Sequence, residues 1–583
     1  MANGATTTDA AATSTRRWTL LDADASRTRT LAETLGLPLP VARSLAARGF
    51  DDPAEAERFL TPRLSDLSDP FLLPGMTRAV ERLWLAIDRR ESIAVFGDYD
   101  VDGVSSTALL ISFLAELGIA ATPFLPRRVE DGYGLTEESI QRCVEELRPS
   151  LIVTVDCGTG AVEPVEWARG QGVDVIVTDH HEAAAAVASA VAVVNPKLGG
   201  PEEVRMLAGV GVTFKLCHAM LKQGRLDGRS EAEQIDLRAF MDFAALGTIS
   251  DIVPLRGENR ILAHHGLVRI NANGRPGLKA LISVANIRSS VESSHIGFQI
   301  GPRLNAAGRM GSADPALQLL LAEEDGQTLH LARRLDAENR RRQDIENRIL
   351  REATEMIEAS FDLSRTYGLV VGGDGWHAGV NGIVASRLVG QYGRPAVVVT
   401  FDEEGGGRGS CRSVTGFDLV EHLAECAADL DSFGGHAMAA GVVLRRARFD
   451  AFQEAFNRVA TRQLAGTDLR PVLSIDAWVD LAEVDLGLHG AAARLRPFGP
   501  GNPQPVWAAR DLRIVDRPRY VGKNHLKLLL AGGGRQMEAI GFGMADRAIP
   551  DGALDAAFQL RIDTFHGYEN LQLNLLDFRP SGG

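Results

Sequence analysis

Three carboxylates, Asp98, Asp100 and Asp102, alternate over five residues in the segment Gly97-Asp-Tyr-Asp-Val-Asp-Gly103. Like charges this close repel unless cations stand between them, and hard divalent cations take oxygen ligands. Downstream, Asp156, Asp179-His180-His181 and Asp251 add further oxygen and nitrogen donors. Asp98, Asp100, Asp102, Asp156 and Asp251 with His180 suit Mn2+ or Mg2+ better than a thiolate-preferring metal. Asp156 could bridge two ions about 3.5–4 Å apart, a pair that activates water and stabilises both the attacking and the leaving oxygen in phosphodiester hydrolysis. Adjacent histidines on one turn point in different directions. Only one is therefore expected as a ligand, counted as His180 in the set above, and the other is expected to face substrate phosphate or the leaving group. Asp179 is expected to orient an imidazole. Each piece has a plainer reading: Asp-x-Asp-x-Asp alone is equally a polar turn capping a helix, and His-His alone is more often a surface turn.

The elements that must position these groups are legible around them. The apolar runs Ile93–Phe96, Leu151–Val155 and Val173–Thr178 each lead through a polar turn into a helix-like segment, the first from Ser105. Strands alternating with helices predict a mostly parallel sheet with helices on both faces. Parallel strands present their carboxyl ends on one edge, so ligands from Asp98 to Asp251 can converge. Asp251 follows the helix-like run Phe240–Leu246 and the link Gly247-Thr-Ile-Ser.

At 583 residues the chain should hold about three or four domains, with the 45% apolar and 24% charged composition of a soluble globular protein. A net charge of −14 argues against broad attraction to nucleic acid but leaves room for a local basic groove. Five scattered cysteines without a C-x-x-C pair speak against a disulfide framework or zinc site, and fit a reducing cytosol. No apolar run approaches the ~20 residues of a membrane span. Arg16-Arg17 lacks the apolar core of an export signal, and a cytoplasmic location is expected.

Residues 1–17 are expected to be a disordered tail, and 18–75 a set of short helices packing on the first large domain. That domain, 76–324, carries the candidate ligands. Residues 325–360 predict one long helix, with acid-before-base pairs at Asp336–Arg340, Glu338–Arg342 and Asp344–Arg348. Residues 361–466 predict a second, glycine-rich α/β domain, and 467–583 a small antiparallel barrel. The barrel's Arg510, Arg513, Arg517, Arg519, Lys523 and Lys527, with Tyr520 among them, suit a surface that follows a backbone and stacks bases; they equally suit a solvated strand face.

The segments Gly97–Gly103, Val155-Asp-Cys-Gly158, Asp179-His-His181 and Ser250-Asp-Ile-Val-Pro-Leu255 resemble the four motifs of the DHH phosphoesterase superfamily. Within it, Pro302-Arg-Leu-Asn-Ala-Ala-Gly-Arg309, Gly382–Arg387, Ser432-Phe-Gly-Gly-His436 and Pro497-Phe-Gly-Pro-Gly-Asn-Pro503 are similar to RecJ-type single-strand-specific 5′→3′ DNA exonucleases. The resemblance runs from about residue 20 to the C-terminus. It implies a parallel-sheet DHH catalytic domain, a long connecting helix, a DHH-associated domain and an OB-fold barrel.

It further implies that Asp98, Asp100, Asp102, Asp156, His180, His181 and Asp251 form a two-ion Mn2+/Mg2+ site, with Asp98, Asp156 and His181 closest to the chemistry. Arg303, Asn305 and Arg309 would meet substrate phosphates. Arg408, Ser410, Arg412 and the turn Gly434-Gly435-His436 would grip the 5′ end or neighbouring phosphates; Arg gives bidentate phosphate contacts, and glycine admits backbone N–H groups to an anion. Ala378 and Asn381 stand where the family often carries an acidic and an aliphatic residue. The resemblance implies single-stranded DNA as substrate, recombination and repair as setting, a monomer, and partnership with a single-strand-binding protein and a RecQ-type helicase. Two other readings remain: a DHH phosphodiesterase for oligoribonucleotides or cyclic dinucleotides, against which the C-terminal barrel counts, and a non-catalytic replication scaffold, against which the complete ligand set counts.

Overall fold

The structure, a computed structural model, describes residues 16–127, 134–182, 186–563 and 569–582. The chain forms two compact units, one of Leu64–Leu469 with Gly499–Gly501, the other of the N-terminal residues through Arg63 with Arg470–Phe498 and Asn502–Gly583.

In the first unit, a five-stranded parallel sheet is built from β1 (Ile93–Gly97), β2 (Thr122–Phe124), β3 (Leu151–Val155), β4 (Asp174–Thr178) and β5 (Ala192–Val194), in the order β2-β1-β3-β4-β5. β1 and β3 are buried along their whole length, so they read as continuous apolar runs without alternation. The chain runs outward from β1 to β2 on one side and to β3 on the other. The gap between β1 and β3 is therefore the switch point, where α/β sheets open a crevice. Gly97 lies level with Val155, and Val155 with Thr178, so the next residues of the three strands, Asp98, Asp156 and Asp179, leave the sheet in one row.

The helix after β1, α1 (Val101–Glu116), starts four residues earlier than the sequence suggested. Asp100 is its N-cap, its carboxylate accepting from Asp102 N and Gly103 N, so the acidic turn is itself the first helical turn. Among the further helices of this part are α2 (Gly209–Leu226), α3 (Met241–Ser250) and α4 (Gly257–Asn273). A π-helical turn at Ile296–Ile300 leads into α5 (Gly301–Met310).

The long helix α6 spans Asp325–Ser360, 36 residues and about 50 Å. Of its expected acid-before-base pairs, Asp336–Arg340 forms. The others give way to Arg334–Glu338, Arg342–Glu346 and Arg348–Glu352, because the side chains reach the acids one turn later, and Arg342 is buried with its partner.

The second sheet of this unit comprises β6 (Leu369–Asp374), helix α7 (Ala378–Tyr392), β7 (Ala396–Phe401), β8 (Gly406–Arg412), β9 (Ser432–His436) and β10 (Ala439–Arg445). Its order is β9-β10-β8-β7-β6, parallel only between β6 and β7. Gly406–Gly409 lie in a paired strand, and Gly434-Gly435-His436, expected as a turn, are strand as well. Gly434–His436 is edge strand, paired on one side with β10.

In the second unit, β11 (Trp507–Ile514), β12 (His525–Gly532), β13 (Arg535–Gly541), β14 (Leu554–Asp563) and β15 (Asn570–Pro580) close into a barrel, since β12 pairs back onto β11. All its pairings are antiparallel except β13 with β15. The N-terminal helices belong here: Leu31, Val41, Leu45 and Phe59 share one core with Trp507, Leu528, Phe558 and Leu573. Each such side chain contributes about 1.5–3 kcal/mol by burial. The expectation that residues 18–75 pack on the catalytic domain is therefore corrected for the helices before Arg63, whereas Leu73, with Leu64, Leu67 and Phe71 against it, does join the core of the first unit. The amphipathic pattern of those helices told that a face is buried, not against what. Arg17–Leu20 pairs in parallel with Val472–Ile475, so the tail ends before Arg17; residues 1–15 lie outside the described part.

Candidate metal centre and substrate face

Every sequence-chosen ligand reaches the crevice at the carboxyl edge of the parallel sheet. One ligand atom from each of Asp98, Asp100 and Asp156 lies within 4.8 Å of the other two. The same holds for Asp102, His180 and Asp251, and for Asp156, His180 and His181. Asp156 belongs to two of these groups, and His180 Nε2 stands 3.1 Å from Asp156 Oδ1, 3.6 Å from Asp251 Oδ2 and 3.8 Å from Asp102 Oδ2. Asp156 holds a left-handed backbone, φ 65°, a strained conformation that clusters at functional sites.

The surroundings explain how these acids are held. Helix α2 begins at Ala208, which has no side chain able to cap it, and its first amides find the site instead. Gly209 N donates to Asp102 Oδ2 at 2.7 Å and Val210 N to Asp102 Oδ1 at 2.9 Å. The positive end of the helix also favours the carboxylate. A Cβ on Gly209 would stand 2.7 Å from Asp156 Cγ, and one on Gly247 2.5 Å from Asp102 Oδ1, so both glycines are required by close approach. Sequence reading missed this contribution. Its signal was Gly209-Val-Gly211 opening an apolar helix with no local cap.

Asp179 turns inward to hold the histidine turn. Its Oδ1 accepts from His180 N at 2.7 Å and His181 N at 3.1 Å, and meets His181 Nδ1 at 2.8 Å; its Oδ2 accepts from Thr159 N. Asn195, also missed, donates to His181 O and to Thr159 Oγ1. The arrangement sets His181 with Nδ1 toward Asp179, so its other ring nitrogen is the one able to meet a reacting oxygen or an ion.

The electrostatics call for cations. Burial, then the charge of Asp100, lifts Asp102 to about 7 in spite of its two amides. Burial, then Asp102 and Asp100, lifts Asp251 to about 9. Asp156 is pushed well above the usual carboxylate range by burial and then by Asp102, Asp100, Asp251 and Asp98. His180 is pushed down to about 3, chiefly by burial, which keeps it in the neutral form that ligates metal. Burial disfavours charge on His181, but the hydrogen bond to Asp179 and the charges of Asp179, Asp98 and Asp102 together outweigh that and raise it. Asp156 Oδ1 and His180 Nε2 are buried without a hydrogen-bond partner. Two orphaned atoms of ligand type facing each other fit a bound ion.

The expected substrate residues divide. On α5, Asn305 Oδ1 accepts from Val101 N at 3.1 Å, bracing the acidic turn. Arg303 Nε pairs with Asp336 Oδ1 of α6 at 3.0 Å, and Arg309 Nη1 donates to Gly379 O at the start of α7. These three tie the acidic turn to α6 and α7. In the second sheet, Arg408, Ser410 and Arg412 alternate onto one face of β8, level with Val443, Gly441 and Ala439 of β10. Gly434 and His436 of β9 pair with Gly441 and Ala439 and so share that face, while Gly435 turns away. The result is a glycine and alanine floor edged by two arginines and a histidine. The Arg412 guanidinium lies over Gly382 of α7. Asn381 is buried and bonds Thr400 Oγ1 and Arg408 O, tying α7 to the strand that carries Arg408.

Of the basic barrel residues, Arg510 stacks on Trp478, and Arg519 and Lys527 pair with Glu538, while Tyr520 is 63% exposed.

Comparison with known proteins covers the whole arrangement. Residues 92–248 match the DHH family N-terminal domain, 365–462 the DHHA1 domain and 475–577 the RecJ OB domain. The chain is 37% identical over 570 residues to the single-stranded-DNA-specific exonuclease RecJ of Bacillus subtilis (strain 168), covering 96% of this chain and 70% of that one. It is 36% identical to the enzyme of the same name from Escherichia coli (strain K12), covering 95% and 99%. Among solved structures, RecJ of Thermus thermophilus in complex with Mn2+ superposes with a TM-score of 0.83 at 29% identity, covering 97% of this chain and 80% of that one. The same protein with Mg2+ gives 0.77.

Proposed function

The chain belongs to the RecJ family of single-stranded-DNA-specific exonucleases, and on that premise we propose that it hydrolyses single-stranded DNA from the 5′ end to mononucleotides at the crevice between β1 and β3. The observation that carries this is the convergence of buried Asp98, Asp102, Asp156 and His180 with half-buried Asp100, His181 and Asp251. Asp98, Asp100 and Asp156 would hold one Mn2+ or Mg2+, and Asp102, His180 and Asp251 with Asp156 the second. When bound, the two ions supply an activated water and stabilise the attacking and leaving oxygens. The amides of Gly209 and Val210 hold Asp102 in place. His181, oriented by Asp179, meets the leaving group or a phosphate oxygen.

Arg408, Ser410, Arg412, Gly434 and His436 form the face that receives the strand's 5′ end, with Gly435 shaping its edge. Arg303, Asn305 and Arg309 join that face to the metal centre and exchange part of their internal bonds for phosphate when DNA binds. Residues 76–324 serve as catalytic domain, 325–360 as connecting helix, 361–466 as substrate-binding domain and 467–583 as the OB barrel. The protein acts in recombination and repair as a cytoplasmic monomer, beside a single-strand-binding protein and a RecQ-type helicase. Among the described residues no helix is long and apolar enough to cross a membrane.

The test is a digestion with Mn2+ or Mg2+, repeated with chelator, on 5′-labelled and 3′-labelled single strands, the matching duplex and an RNA strand. Early release of 5′-labelled mononucleotide from single-stranded DNA, lost on chelation, is expected. Cleavage confined to short RNA or cyclic dinucleotides would replace the reading.

A further inference from the structure

The sides of the metal centre carry two apolar residues that no metal or phosphate uses. Ile252 directly follows Asp251, is 70% exposed and has φ 63°. A β-branched side chain in the left-handed region is a genuine outlier, and such strain gathers at functional sites. Phe298 is 83% exposed, the most exposed of the large apolar side chains described. It sits at the centre of the π-helical turn Ile296–Ile300, a geometry that also recurs at functional sites.

Three anchors fix where that turn lies. At Gly301, directly after it, a Cβ would be 2.9 Å from Ser250 Oγ, next to Asp251. At Asn305 and Gly308, α5 touches the acidic turn, through Val101 N and through Tyr99 O. The π-turn therefore stands at the Asp251 end of the metal centre. Ile296 and Ile300 are fully buried on either side, so the segment is held rigidly while Phe298 is turned out.

We propose that Phe298 is a stacking surface for a nucleobase of the strand being cleaved. The inference rests on the nuclease reading above and adds a substrate contact to it. A polynucleotide threaded past metal-bound phosphates offers one kind of large apolar face next to those phosphates, the base. Stacking on an aromatic ring is sequence-tolerant, because every base has a π-face. It also needs an unpaired, unstacked base, which a duplex does not offer, so Phe298 contributes to the preference for single strands.

The experiment compares wild type, Phe298→Ala and Phe298→Tyr on two 5′-phosphorylated, 3′-labelled single strands, one unmodified and one abasic at its first three 5′ positions. The initial rate of loss of full-length strand is followed at subsaturating substrate. On the unmodified strand Phe298→Ala is expected to lose about tenfold in kcat/KM and Phe298→Tyr to stay near wild type, the size of one base–aromatic stack. On the abasic strand all three are expected to be equally slow. Phe298→Ala matching wild type on the unmodified strand, or losing the same factor on both strands, would overturn the stacking role. Wild type leaving the unmodified strand intact would overturn the nuclease reading instead.

Discussion

Replacing Gly209 by Ala tests whether the first turn of α2 is part of the catalytic centre. The added Cβ would stand 2.7 Å from Asp156 Cγ and 2.8 Å from its Cβ, where ordinary contact begins at 3.4 Å. Asp156 must therefore retreat by more than half an ångström, or α2 must, and α2 carries the two amides that hold Asp102. Either movement displaces a ligand. Misplacement of about 1 Å can cost on the order of 100-fold in rate, so a fall of roughly 10- to 100-fold in kcat/KM is expected. Helix propensity works the other way, Ala being favoured over Gly by up to about 1 kcal/mol, so a loss cannot come from a weakened helix. Gly211→Ala is the matched control. Its Cβ would meet Leu207 Cδ2 at 3.0 Å, the end of a flexible side chain, and no carboxylate. The assay is turnover of a 5′-labelled single strand alongside Mn2+ affinity from the paramagnetic signal of the free ion. A Gly209→Ala protein with wild-type turnover and wild-type Mn2+ affinity would refute the reasoning.

Other consequences follow from the same geometry. Without metal, the folded state keeps protons on Asp102 up to about pH 7 and on Asp251 up to about pH 9, which the unfolded chain releases near 3.8. The metal-free protein should lose stability as pH rises through that window, by about 1.4 kcal/mol per pH unit for each retained proton. The gain in Tm on adding Mn2+ should accordingly grow from acid to alkaline pH; a gain that shrinks would contradict the charge cluster. Asp179→Asn should lower the titration of His181 observed by NMR and cost about 10- to 100-fold in activity, since it removes the charged hydrogen-bond partner that helps raise it. An unmoved His181 titration would remove Asp179 from its orienting role. Lys215, wholly buried on α2, donates to Glu258 Oε2 at 2.9 Å and to Ser68 O at 2.7 Å. Lys215→Met should cost about 3–5 kcal/mol in denaturant unfolding by stranding the Glu258 charge. Adding Glu258→Met should recover part of it, and a double variant no more stable than the single would show that the charge is not the cause.

Much of this architecture could be read from residue order because it is local. The 36-residue helix announces itself by periodicity, and its bounds, Asp325 and Ser360, coincide with those read from sequence. Asp98, Asp156 and Asp179 follow apolar runs, and parallel pairing alone brings them level. What escaped was long-range. That Gly209 and Val210 cap Asp102, 107 and 108 residues away, leaves only a missing N-cap as its local trace. The N-terminal helices display a buried face, but the same pattern suits any apolar partner, and the barrel proved to be that partner. Gly434–His436 looked like a turn because glycine is poor in strands. Tertiary pairing overrides that preference. On α6 the spacing suggested acid-before-base pairs, but side-chain reach kept Asp336–Arg340 and otherwise favoured base-before-acid pairs such as Arg334–Glu338 and Arg342–Glu346.

In the proposed mechanism, Asp156 would join two cation sites on which cleavage depends. Mn2+ stoichiometry measured by calorimetry on wild type and Asp156→Ala, with circular dichroism to confirm the fold and the 5′-labelled strand to read cleavage, tests it most directly. Two ions per wild-type chain are expected, with weakened binding and abolished cleavage in a folded Asp156→Ala protein. Wild-type cleavage by Asp156→Ala, or full binding of both ions without Asp156, would contradict it.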